Sequence, residues 1–246
     1  IPHEWEVRSG GHDFTCWNTA LPKAFRFINE YFNGKRSGNS ESSLPNETPF
    51  IQTANATVYY PEQAQGSTRK YPIIYVQGEI NEQQQKVLVS QFHQMVDENK
   101  TWPAVLCFVK ANTDLSETIS DIEKQLSGIR GSQRMRALIT LGDNIKEGIE
   151  AIQGENLFTG IVCVNAIGNE NDAQNLIKAV NSYKRYPRCW IEILPESKEY
   201  GFSSNIHILL KESDLEHEFR SRKCKEANVF TYWEDWILYL NNRIHV

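Results

Sequence analysis

The sequence has no apolar run approaching the roughly 20 residues of a membrane span, so a spanning helix is not expected. It also lacks a basic cluster. The 26 Lys and Arg stand against 31 Asp and Glu, a net charge of -5, so neither nucleic acid nor a membrane is an expected partner. Cysteine is scarce and unpatterned: five residues, an odd number without C-x-x-C spacing, exclude an orderly disulfide framework. Cys107, Cys163 and Cys189 fall inside apolar runs and read as buried free thiols. The histidines (His3, His12, His93, His207, His217 and His245) include no i, i+4 pair, so neither a metal nor any other cofactor is expected. Gly128-Ile129-Arg130-Gly131 lacks the context of a phosphate loop and reads as a helix-to-strand connection.

What is present suffices for a core. Apolar residues make up 40% of the chain and aromatics 11%, enough for one large domain with a piece attached. Residues 1–36 read as a unit. An alternating strand begins at His3, a turn follows at Gly10-Gly11-His12-Asp13, and Leu21, Phe25, Ile28 and Phe32 form one stripe of an amphipathic helix. Residues 37–49 are small and polar, the composition of a linker. From residue 50 strands and helices alternate. Strands are predicted at 56–60, 71–78, 104–109, 137–141, 161–164, 189–194 and 217–222, and helices at 81–99, 115–126, 171–183, 203–211 and 232–242. Continuous apolar strands alternating with helices predict an α/β fold whose mainly parallel sheet is covered on both faces.

The stretch 136–166 organises this pattern. The apolar run 137–141 stops at Gly142, Ile145, Ile149 and Ile152 then share one helical face, and a second apolar run follows at 161–164. Strand, sharp turn, helix, strand is the plan of a nucleophile elbow, which lifts a serine above the sheet. Here the turn residue is Gly142, which offers no nucleophile. Cys163 and Cys189 are the alternative thiols and His207 is the nearest helix-borne imidazole, but mid-strand apolar context marks both cysteines as core. Phe230, Tyr232, Trp233 and Trp236 read as the packing face of the last helix rather than as a ligand groove.

The end of the chain repeats its beginning. The strand at His3-Glu4-Trp5 matches His217-Glu218-Phe219, Phe14-Thr15-Cys16-Trp17 matches Phe230-Thr231-Tyr232-Trp233, and the helix from Leu21 matches that from Ile237. This alignment sets Asn228 against His12.

Gly10-Gly11-His12-Asp13-Phe14-Thr15-Cys16-Trp17 resembles the C-terminal segment of the esterase branch of α/β-hydrolases, which includes enterochelin, feruloyl and tributyrin esterase-like proteins. In that family the histidine is the general base of a Ser–His–Asp triad. Residues 50–246 resemble a whole domain of the family more loosely, which implies an α/β-hydrolase-like fold. At the chemical positions they depart from it. The strand ending in His-Gly before the oxyanion loop resembles Tyr75-Val76-Gln77-Gly78, with Gln77 in place of the histidine. The elbow Gly-x-Ser-x-Gly resembles Thr140-Leu141-Gly142-Asp143-Asn144, so serine becomes glycine and both flanking glycines are gone. The acid position falls near Ser197, with Glu196 the only adjacent carboxylate, and the base position at Asn228. A serine hydroxyl needs an imidazole to take its proton and a carboxylate to hold that imidazole, so all three roles are lost together. Asp143 and Asn144 lead to the expectation of a relaxed turn.

The resemblance therefore implies a tandem protein. Residues 1–36 are expected to be the C-terminal end of an intact upstream esterase domain that His12 serves, and residues 50–246 a degenerate copy. The partners it implies are that upstream domain or a second copy of the chain, with a carbohydrate or small ester as ligand, in a bacterial periplasmic or secreted setting. The competing expectation is an active carboxylic or carbohydrate ester hydrolase that uses an unrecognised site or the His12 tail.

Overall fold

The computed structural model describes residues 50–61, 71–125, 136–153, 158–182, 188–193, 200–221 and 229–244. His12, Ser197, Asn228, the units 1–36 and 37–49 and the loop around Gly128 lie outside the described residues. Among those described, the strands are β1 (Phe50–Gln52), β2 (Ala56–Tyr59), β3 (Ile73–Gln77), β4 (Val105–Val109), β5 (Arg136–Leu141), β6 (Gly160–Val164), β7 (Arg188–Ile193) and β8 (His217–Ser221). The helices are α1 (Glu82–Asp97), α2 (Leu115–Gln125), α3 (Ile145–Gln153), α4 (Glu170–Asn181), α5 (Tyr200–Glu212) and α6 (Trp233–Ile244). One turn of 3-10 helix, Gly142–Asn144, joins β5 to α3.

The strands form a single sheet in the order β1-β2-β4-β3-β5-β6-β7-β8. β2 runs antiparallel to β1 and β4, and every pairing from β4 to β8 is parallel. The α/β class and the predicted strands are observed. β1 is the strand that the pattern did not reveal, being three residues long with no buried face of its own. A tight turn creates it: Thr53 N donates to Ala56 O at 2.8 Å, and Ala56 N donates back to Thr53 Oγ1 at 2.9 Å.

Strands β3 to β6 are buried along their whole length because helices cover both faces. One face packs Ile74, Val76, Leu106, Ile139 and Val162 against Leu88, Phe92 and Met95 of α1 and Trp233, Trp236 and Leu240 of α6. The other packs Tyr75, Cys107, Leu138, Ile161 and Ile191 against α2, α3, α4 and α5. Strand order explains the division among the crossover helices α1 to α5. Right-handed crossovers place a helix on one face when the chain steps one way along the sheet and on the opposite face when it steps the other way. The step from β3 to β4 runs one way; β4 to β5, and then β5 through β8, run the other. Helix starts are locally encoded: Asn81 caps α1 and Asn169 caps α4, each closing a reciprocal capping box with the residue three positions on.

Candidate functional site at the strand-order reversal

In an open α/β sheet the crevice for chemistry opens at the carboxyl ends of adjacent strands whose connections leave in opposite directions. β3 and β5 are such neighbours, with Gln77 paired to Thr140 in register. The loops that follow them hold Gly78 and Gly142. A Cβ at Gly78 would lie 2.8 Å from Leu141 Cβ, so only glycine lets the β3 loop close against the end of β5. Gly142 adopts φ +64°, a left-handed backbone that glycine takes without strain. A Cβ there would meet only Ile167 Cδ1, 4.0 Å away, so the position projects into open space. Gly142 O accepts from Ile167 N at 3.0 Å, which ties the turn to the segment after β6.

A side chain closes the turn that Asp143 and Asn144 led one to expect to be relaxed. Asn144 is buried and takes over the closing of the turn through its side chain. Its Nδ2 donates to Leu141 O at 2.8 Å, and its Oδ1 accepts from Asn112 N at 3.1 Å in the segment after β4. Thr140, at the end of β5, packs closely against α3. Gly148 stands where a Cβ would press Thr140 Cγ2 at 3.0 Å, so the small residue sits on the helix instead of the strand. Asp143 is exposed at the mouth.

Gln77 is brought beside the turn but faces inward. It is 0% exposed, and its Nε2 donates to Thr113 O at 2.9 Å. Gly78 N donates to Val109 O at 3.3 Å. The structure thus brings Gln77, Gly78 and Gly142 together, while Ser197, Asn228 and His12 lie outside the described residues.

The thiols are core. Burial pushes Cys163 up to about 12 and Cys107 and Cys189 well above the ordinary thiol value, so none is a thiolate near neutrality. His207 turns to another imidazole: its Nδ1 lies 2.7 Å from His217 Nε2. Phe230, Trp233 and Trp236 are buried under the sheet, as the helical spacing implied. Phe230, Tyr232 and Trp233 nonetheless also line a hollow, together with Gln91, Thr231, Glu234 and Asp235, that opens between α1 and the start of α6. Its walls belong to neither of the loops at the reversal. Among the described residues, no three His, Cys, Asp or Glu side chains gather to hold a metal ion, and no helix is long and apolar enough to cross a membrane.

Sequence reasoning missed Glu192. It lies on β7 and is 0% exposed, with Oε2 accepting from Trp190 Nε1 at 2.8 Å and Trp236 Nε1 at 3.3 Å. A buried carboxylate needs such donors. The available signal was a carboxylate inside an apolar strand, two residues after a tryptophan on the same face.

No family model matches the chain, and no curated protein matches it. Solved structures do. A ferulic acid esterase is similar at 14% identity with a TM-score of 0.60, covering 76% of this chain and 91% of that one. The ferulic acid esterase of the anaerobic fungus Anaeromyces mucronatus is similar at 11% identity with a TM-score of 0.61, covering 85% of this chain and 94% of its own. The S-formylglutathione hydrolase of Staphylococcus aureus is similar at 13% identity with a TM-score of 0.54, covering 77% and 91%. At these identities the likeness establishes the fold, that of α/β-hydrolase esterases.

Proposed function

We propose that this α/β-hydrolase-fold chain is a pseudo-esterase, a module that keeps the architecture of an ester hydrolase without its chemistry and acts as a scaffold or binding partner beside a catalytic esterase domain. The observation that carries this reading is Gly142. It occupies the elbow at the reversal of strand order, with the left-handed backbone and outward projection that would present a nucleophile, and has no side chain. The sequence supports the same reading at two further positions. By the family resemblance the base position is Asn228, which does not titrate near neutrality, and the acid position falls near Ser197. The thiols that might have substituted are buried and protonated. The partners that fit are the upstream esterase domain that His12 would serve or a second copy of the chain. A carbohydrate or small ester would be a retained ligand of the crevice.

The test is labelling with a serine-directed fluorophosphonate. The chain should remain unlabelled while an active serine esterase in the same reaction is modified stoichiometrically. Stoichiometric labelling of this chain would overturn the proposal in favour of an active hydrolase with an unrecognised site.

A further inference from the structure

We propose that His207 and His217 form an acid-released clasp between α5 and β8, the strand at one end of the sheet. The hydrogen-bond geometry fixes the protons. His217 Nδ1 lies 2.7 Å from Leu215 O, and a carbonyl only accepts, so Nδ1 carries a proton. The neutral ring then has its lone pair on Nε2. His207 Nδ1, 2.7 Å from that nitrogen, must donate to it. The His207 ring also stacks on Phe219 of β8, with centroids 4.3 Å apart and planes inclined by 24°. Two rings thus connect the helix, the turn at Leu215 and the strand.

One added proton is tolerated, because it settles on His207 Nε2 and leaves the bond between the rings intact. A second has no place. It would sit on His217 Nε2, pointing at the N–H of His207 across 2.7 Å, so the doubly charged pair must part. Charged neighbours of both signs surround the pair. On α5 Lys211 adds a further positive charge that reaches His207. On β8 Glu218 and Arg220 pair with each other at 2.9 Å. On β7 the residue opposite His217 is Cys189, whose thiol burial keeps neutral. Asp214 and Glu216 flank the turn into β8.

Burial first, then His217 and Lys211, hold His207 below the ordinary imidazole value. A base with a depressed folded value takes its proton more readily when unfolded. The first proton therefore goes on only below the unfolded value of about 6.5, the clasp is intact above it, and the second proton, which parts the rings, is bound at lower pH still. Among the described residues β8 pairs in the sheet with β7, and Arg220 lies over the Trp190 ring, so these contacts and the rings together hold the strand.

Hydrogen exchange on the full chain at pH 7.5 and pH 5.0 tests this, with rates corrected for intrinsic chemistry and β5 as internal reference. In the wild type, protection over residues 217–221 should fall about tenfold on acidification, and in His207→Phe, which keeps a ring on Phe219, by less than about threefold. Equal losses in the two proteins would overturn the clasp. Imidazole nitrogen shifts in the wild type at pH 8 provide a test independent of the variant's folding. Both rings should carry the proton on Nδ1, and a His217 protonated on Nε2 would also overturn it.

Discussion

Gly142 and Gly78 are both glycines at the reversal of strand order, for different reasons. At Gly142 the constraint is the backbone alone, φ +64° with room for a side chain. Gly142→Ser should therefore fold, at a cost of about 1–2 kcal/mol from left-handed strain. On the proposed assignment of Asn228 to the base position it should gain no ester hydrolysis, because a carboxamide does not take the hydroxyl proton. At Gly78 the constraint is also contact, since a Cβ would lie 2.8 Å from Leu141 Cβ. Overpacking adds about 1–3 kcal/mol, so Gly78→Ala should destabilise more than Gly142→Ala in urea unfolding. The reverse order would contradict the close approach of the two loops. Glu192→Ala should cost about 1–3 kcal/mol by leaving two indole N–H groups without their acceptor, and Glu192→Gln, which keeps an acceptor oxygen, should cost less.

At the scale of elements, single side chains hold segment ends together. Asn144 joins the end of β5 to the segment after β4 through one carboxamide. Asn144→Ala would leave the buried Leu141 carbonyl and the Asn112 amide without this partner, at about 1–3 kcal/mol. Calorimetry should register that loss without loss of the fold. α1 begins where Asn81 accepts from Gln84 N at 2.9 Å and Gln84 Oε1 accepts in return from Asn81 N. Asn81→Ala should lower stability by about 0.5–2 kcal/mol, with Asn81→Asp close to the wild type. The α5–β8 junction, in contrast, is held by rings whose bond depends on proton count, so it should respond to pH where the Asn81 cap does not.

For the molecule as a whole, fold and chemistry separate. The sheet order puts the ends of β3 and β5 at the reversal whatever residues occupy them, and unrelated functions share such sheets. Hydrolysis of short acyl esters should stay at the level of heat-denatured protein from pH 5 to pH 9, because no hydroxyl or thiolate stands at Gly142. A pH-dependent rate in excess of that background would point to a nucleophile elsewhere in the chain.

The sequence by itself determined the α/β class, strands β2 to β8 and the turn at Gly142, because the buried central strands are apolar runs, β8 starts as an alternating pattern and helices repeat at 3.6 residues. It also showed that the residue at this turn is a glycine, since that is a matter of residue identity alone. Only the tertiary structure decided the rest. β1 exists because a turn folds it onto β2, not because its three residues carry a pattern. Asn144 closes a turn that its sequence position suggested was loose, because its partners Leu141 and Asn112 come from two different strand ends. His207 and His217, ten residues apart with no ligand spacing, meet because α5 packs back over β8. Glu192 reads as an isolated charge until α6 brings Trp236 beneath the sheet to share it with Trp190. Local propensity and hydrophobic period act within a segment, whereas a side chain's partner is set by which segments the crossovers bring together.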